Sequence, residues 1–493
     1  MLLRGAFLSG GTVAVDVHIR EGLIVAVVPT GIDPALGETA LDAATVEVVD
    51  LSGKFLTPGL WDNHVHFTKW AEVSRRLDLS SATSAAQVAR LVGDWADTHP
   101  AGEPIVGAGF RDALWPDSPH RDMLDSVAGD RPVVLVSGDL HSCWLNSIAL
   151  EQFGFADDAT GLLREADCFS VHTRLPSGSE QDVDGWALDA ADAAARRGVV
   201  GIVELEMDWN LGTWQRRFAQ RPPILRVQFG VYAAYLDRAI TEGLRTGAEI
   251  PGSDGLLTVG PFKVITDGSL NTRTAYCFDE YEGIQGQEHS HGILTVTPEQ
   301  LVPLMRRAAA NGLLPAVHAI GDHANSLALD AFEAVGCRGS IEHAQLLVTT
   351  DYARFGELGV IASVQPEHAM DDRDVAEKFW AGRNDRAFAL RSLLAAGATL
   401  ALGSDAPVAP LDPWITMAAA VGRTRDDREP WHAEQSISIG EALAASARTR
   451  IVVGQPADIA VLAIDPFRAT LDELRRMPVS ATLLAGRFTH RTL

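Results

Sequence analysis

Five stations of polar residues recur in a fixed order along this 493-residue chain: His64-Val65-His66, Lys263, His318, His343 and Asp405. Each stands at or near the end of a short apolar run. Imidazole nitrogens and carboxylate oxygens are the donors that divalent cations prefer. On a strand, residues i and i+2 point to the same side. His64 and His66 can therefore meet one cation, with Asp62 on the same side to orient a ligand. Lys263 is the odd member, since an ammonium group would be repelled by cations. Burial can strip its proton. A neutral amine can capture CO₂ as a carbamate, whose two oxygens and single negative charge suit a bridge between two ions. The other reading pairs Lys263 with Asp267 or Glu206. Taken together, these residue types can build a two-metal hydrolytic centre.

Such residues need a scaffold that brings strand ends together. Runs at 58–66, 200–206, 224–231, 256–266, 313–319, 339–343, 360–365 and 399–405 read as strands. Helical segments lie between most of them. One spans 182–197 and is stopped by Gly198; another spans 298–310, with Thr297 as its N-cap and Pro298 at its first position. Eight strands with helical crossovers predict a (β/α)8 TIM-like barrel, in which residues closing the strands face the active-site end. The gap between the first two strands exceeds one crossover, so residues about 68–180 are expected to form an α/β insertion over the mouth. Both ends of the chain carry short β-rich runs, including 13–19, 23–28, 46–51, 458–462 and 481–487. These predict a small β-sandwich built from both termini. The expected division is 1–57 and 450–493 for the sandwich and 58–449 for the barrel.

Bulk properties narrow the partners. Of the residues 46% are hydrophobic and 22% charged, an ordinary globular balance. A net charge of -24 argues against nucleic acid or an anionic membrane surface. No apolar run approaches the ~20 residues of a membrane span, and the stretch Met1-Leu2-Leu3-Arg4-Gly5 lacks the long apolar run expected of a signal peptide. Cys143, Cys168, Cys277 and Cys337 form no C-x-x-C pair. Reduced thiols in a cytoplasm are expected. A homodimer is allowed by these features but not required.

The motifs resemble the amidohydrolase superfamily of metal-dependent hydrolases. More closely, they resemble the branch containing N-substituted formamide deformylase and exoenzyme-regulator-like proteins. The likeness rests on 263–275, 317–324, 341–345, 363–368 and 403–408, with 139–147 and 161–165 in the insertion. It implies that His64, His66 and Asp405 hold one metal ion, His318 and His343 a second, and carboxylated Lys263 bridges them. Zinc is the expected metal. The implied reaction is cleavage of a C–N amide-type bond, in an N-formyl or N-acyl amine, by a metal-bound hydroxide whose proton goes to Asp405. Trp115, His141, Trp144, Arg273, His291 and His368 are the expected substrate contacts, with Phe110 and Trp380 beside them in the roof. His291 or His368 could polarise the carbonyl. Three departures bear on the substrate: Leu140 where glycine is common, His323 where arginine is common, and Glu204 with Glu206 on the second strand. An aminohydrolase would carry His-x-x-Glu after the fifth strand, yet the third residue after His318 is Gly321. A cyclic amidase, a carbamate or ester hydrolase and a non-catalytic scaffold remain the alternatives.

Overall fold

The computed structural model describes residues 1–32, 47–100, 102–175 and 178–493. Position 46 of the 46–51 run therefore lies outside the described residues, as do 33–45 of the N-terminal segment and 101, 176 and 177 of the insertion. Eight strands form one parallel sheet in chain order: Leu60–Val65, Val199–Glu204, Arg226–Tyr232, Leu257–Ile265, Pro315–Ala319, Gly339–His343, Val360–Val364 and Thr399–Leu402. These are the strands expected from the apolar runs, with bounds that differ by a few residues at most. The sheet closes on itself. Val65 bridges Ala406 in parallel, the His66 amide donates to the Ala406 carbonyl, and the Asn63 side chain donates to the Leu402 carbonyl. Closure requires close approach at Gly403, where a Cβ would stand 2.7 Å from the His64 nitrogen. The result is a (β/α)8 barrel.

The strands alternate with helices because the apolar period switches between two and 3.6 residues. Glu180–Ala195 begins with Ser179 and Asp182 capping each other reciprocally. Pro298–Ala310 begins with the Gln300 side chain accepting from the Thr297 amide. Strands are buried on both faces, as parallel strands under helices must be. Val199–Glu204 is buried at every position. Phe229, Phe262 and Phe332 anchor the layer between sheet and helices. Each such ring contributes about 1.5–3 kcal/mol by leaving water.

Between the first two barrel strands stands a separate five-stranded sheet. Leu77–Asp78, Ile105–Phe110 and Val133–Ser137 run parallel; Ser142–Leu145 and Leu162–Arg164 extend it antiparallel. Both termini build one further sheet of eight strands. Ile459–Leu462 pairs antiparallel with Phe55–Pro58, which joins the two ends of the chain. Its faces enclose a core that includes Leu3, Val17, Leu56, Ile459, Val461 and Leu483. Among the described residues, no helix is long and apolar enough to cross a membrane.

Candidate active site

The barrel's C-terminal end gathers the five stations. His64 closes the first strand, and its Nε2 lies 3.3 Å from Asp405 Oδ1. His66 follows two residues later, with its Nε2 3.4 Å from the same oxygen. The rings of His64 and His343 are centred 5.0 Å apart, and those of His318 and His343 4.5 Å apart. His368, at the start of the helix His368–Phe379, places its Nε2 3.9 Å from Asp405 Oδ2. Among the described residues three groups have donor atoms within 4.8 Å of one another, and two of them lie here: His64, His66 and Asp405, and His343, His368 and Asp405; the third, Cys143, Cys168 and His172, lies in the insertion. Asp405 is the member common to the first two.

Local backbone geometry makes the convergence possible. Glu342 and His343 are consecutive on a strand and should point to opposite faces. At His343 the backbone turns left-handed, with φ 76°, followed by 42° at Ala344. Asp405 likewise has φ 57°. Non-glycine residues in this region cost roughly 1–3 kcal/mol and persist where surroundings impose them. The turn leaves Glu342 free to face His64, whose Nδ1 donates to Glu342 Oε2 across 2.6 Å. Burial alone would raise the Glu342 carboxyl. The His64 bond and the nearby Lys263 outweigh it and lower it to about 2. Glu342 was no part of the expected site, and adjacency to His343 was the one signal available for it.

Asp62 acts differently from expectation. Its carboxylate accepts from the backbone amides of His64 and Ser404, at 3.2 and 2.9 Å. It therefore stitches the first strand to the eighth, and Glu342 orients the imidazole instead. Burial raises the Asp62 carboxyl to about 6. Asp267 is no partner of Lys263 either. It accepts from the amides of Ile320, Gly321 and Tyr276, because three convergent donors satisfy a buried carboxylate better than one amine. Burial still raises it to about 7.

Lys263 is buried on the fourth strand, and its Nζ has no hydrogen-bond partner. Burial lowers its pKa, against the pull of Glu342 and Asp405. His343 Nδ1, His368 Nε2 and Asp405 Oδ1 are also buried without a well-formed hydrogen bond, the last two having only longer charge contacts. His318 Nε2 has only the Asp267 carboxylate, 3.4 Å away and poorly aligned. Burial and neighbouring cationic groups push both His318 and His343 well below the ordinary imidazole value. Asp405 runs the other way. Burial opposes its ionisation, but His64, His66 and His343 hold the carboxyl well below the usual range.

These groups floor a cavity of about 490 Å³ whose roof comes from the insertion. His141 and His368 line it. His141 Nδ1 lies 2.9 Å from Glu165, whose other oxygen accepts from Thr272 and Thr274 of the barrel loop at 2.7 and 2.6 Å. Ser269 donates to Asp139 at 2.9 Å. The insertion is thus tied to the barrel through the carboxylate that holds His141. Burial disfavours the imidazolium, yet Glu165 overrides it and lifts His141 to about 9. Burial likewise opposes the Glu165 carboxylate, and His141 with the two threonines brings it down to about 2.

A pH prediction follows. The folded pKa of His141 exceeds its ordinary 6.5, so its contribution to stability is complete below 6.5 and is lost as pH rises through about 9. That of Glu165 is complete above 4.5 and is lost as pH falls towards about 2. Melting curves from pH 6 to 10 should therefore show a decline in the native protein that Glu165→Gln largely removes. Equal slopes would mean that the pair does not dock the insertion.

The other expected roof residues lie elsewhere. Trp144 is wholly buried in the insertion's own core with Phe110, and Trp115 packs against its edge. Trp380 is buried in a separate cluster with Tyr281 and Phe379. Arg273 lies over the Phe379 ring, 5.2 Å from its centre. His291 is exposed, and its Nδ1 is 3.3 Å from the Cys277 carbonyl. None of these lines the cavity. The physical reason is area: an inserted sheet needs a core of its own, and large rings supply most of it. His323, one of the three departures, stacks between Tyr276 and Phe278 at 4.7 and 4.1 Å. Gly321 has no room for a side chain, since a Cβ there would stand 2.1 Å from the Tyr276 carbonyl oxygen.

Known proteins share this architecture. The chain is 29% identical over 435 residues to Protein LONG AFTER FAR-RED 3 of Arabidopsis thaliana, covering 80% of this chain and 74% of that one. It is 25% identical to N-substituted formamide deformylase of Arthrobacter pascens, covering 91% and 90%, and to the putative amidohydrolase YtcJ of Bacillus subtilis (strain 168), covering 96% and 95%. An uncharacterized metal-dependent hydrolase from Pyrococcus horikoshii superposes with a TM-score of 0.78 at 24% identity, over 96% of this chain and 99% of that one, a likeness of fold. The profile of the amidohydrolase family matches residues 47–490, and the chain belongs to that family.

Proposed function

We propose that this protein hydrolyses a C–N amide-type bond, in an N-formyl or N-acyl amine, with divalent cations held at the barrel mouth. One observation carries the reading. Lys263 Nζ, His343 Nδ1, His368 Nε2 and Asp405 Oδ1 belong to one cavity and are buried without a hydrogen-bond partner. Each such atom costs about 1–3 kcal/mol unless something binds it. The donor set of imidazole and carboxylate suits zinc. His64 and His66, with Asp405, would hold one ion, and His318 and His343 the other. A carboxylated Lys263 would lie between them, and His368 is near enough to join. Divalent cations there would supply Lewis acidity and bring the pKa of water towards ~7.

The chain's own residues account for the rest. Asp405 remains ionised in the cavity, ready to accept the proton of an attacking water at its carboxylate. It can return that proton to the leaving nitrogen, the harder half of amide cleavage. His368 faces the same carboxylate and can donate to the substrate carbonyl. His141, kept cationic by Glu165, favours a substrate carrying or developing negative charge beneath the roof. The 25% identity to a formamide deformylase over nine-tenths of both chains supports an N-formyl or N-acyl substrate.

The decisive test is hydrolysis of N-formyl, N-acyl and cyclic amides by zinc-reconstituted protein, with amine release as the readout. Turnover of esters alone would overturn the C–N assignment. Glu342 should matter through His64. Partners of this kind are worth about 10–100-fold in metal affinity. Glu342→Gln should therefore lose zinc to a chelator at correspondingly lower concentration, and equal retention would dismiss its orienting role.

A further inference from the structure

Two cysteines that look unrelated in sequence meet under the roof. Cys143 lies on the insertion strand Ser142–Leu145, directly after His141 and Ser142. Cys168 lies on the helix Glu165–His172. Both are fully buried, and their Sγ atoms are 2.9 Å apart. His172, one helical turn beyond Cys168, places its Nε2 3.5 Å from that sulfur. Arg76 lies within electrostatic range of Cys143. Leu140, Phe169 and His172 line the catalytic cavity, so a small molecule entering it comes within one side chain of the thiols. The other two cysteines, Cys277 and Cys337, have no thiol partner among the described residues.

We propose that Cys143 and Cys168 form a peroxide-reactive thiol pair whose disulfide locks the roof of the cavity. The geometry disfavours a cation at the same place. Thiolates around tetrahedral zinc, with Zn–S near ~2.3 Å, stand roughly 3.8 Å apart. The guanidinium of Arg76 would also repel the ion. For a disulfide the sulfurs need only close the remaining gap, with one on a strand and the other on the helix beside it.

The chemistry balances. Burial disfavours both thiolates; the hydrogen bond from the Cys168 thiol, with His172 and Arg76 near, lowers Cys143 and leaves Cys168 the protonated partner. The Cys143 sulfur attacks one oxygen of a hydroperoxide. The O–O bond breaks, a sulfenic acid forms on Cys143, and the alkoxide leaves as an alcohol with the proton Cys143 has lost. Cys168 then attacks the sulfenic sulfur and gives up its proton to the departing oxygen. The S–O bond breaks, and hydroxide leaves as water by taking that proton. Two thiols and one hydroperoxide become one disulfide, one alcohol and one water. The new bond would cross-link the strand that follows His141 to the helix that begins at Glu165, so oxidation would lock two elements of the roof to each other.

The test reads thiols and mass in the full chain and needs no substrate. After a small excess of hydrogen peroxide, quenching and denaturation, titratable thiols should fall from four to two. The intact mass should drop by about 2 Da, and a peptide digest should link Cys143 to Cys168. Dithiothreitol should reverse all three changes. Cys168→Ser should stop at a sulfenic acid on Cys143 that dimedone captures, whereas Cys143→Ser should be inert to the same treatment. Four free thiols after oxidation, stepwise oxygen addition to Cys143 without a link, or zinc retained by the native chain but lost in both serine variants would each overturn the proposal.

Discussion

Replacing Asp405 with asparagine is expected to lower kcat by about 10²–10⁴-fold, the range a positioned proton acceptor supplies. The substitution keeps the side-chain outline and removes the charge that faces His64 and His66 at 3.3 and 3.4 Å. It should not prevent folding. Asp405 sits at φ 57°, in the left-handed region that asparagine tolerates better than other side chains. The Asp405 amide still donates to the His64 carbonyl at 2.7 Å, so closure of the barrel is retained. Thermal unfolding should therefore change little while turnover collapses. An interaction made only in the transition state lowers kcat and kcat/KM together. Retained turnover at normal metal content would take Asp405 out of the chemistry.

Lys263→Ala is expected to lose metal and activity together, with kcat down by roughly 10²–10³-fold, the scale of removing one preorganised electrostatic group. The native amine is buried with no hydrogen-bond partner, and burial drives it towards the neutral form. A neutral amine beside the two proposed cation sites can carry a carboxyl group, and the alanine variant cannot. Formate, acetate or propionate should then restore part of both metal content and turnover by entering the vacated space. Stability should hold up, because a buried amine without a partner contributes little to the fold. Full activity in the variant would refute the bridging role. Loss of activity with no recovery by any short acid would restrict Lys263 to a local electrostatic part.

The barrel was largely legible. Parallel strands buried on both faces read as continuous apolar runs, and each crossover helix carries its own capping signals. The gap between the first two strands was visible as a length that one crossover could not fill, and a separate five-stranded sheet stands there. The metal-type residues were legible because each ends such a run. Substrate-wall residues were read less well. Trp144 and Trp115 have the composition of a binding surface, but the insertion uses them as core. His368 was expected as a substrate contact, and it also lies within the donor cluster around Asp405.

What the sequence determined by itself is the inventory and order of the candidate residues: His64, His66, Lys263, His318, His343 and Asp405, each at or near the C-terminal end of a barrel strand. Local periodicity is enough for that, since it depends only on neighbours within a few residues. What only the tertiary structure decided is who faces whom. Glu342 rather than Asp62 orients His64, three backbone amides take Asp267, and Cys143 meets Cys168. The Glu342–His64 pairing depends on barrel closure and on the left-handed turn at His343, which breaks strand alternation. The energy that imposes such turns comes from packing between residues hundreds of positions apart, which no local pattern records.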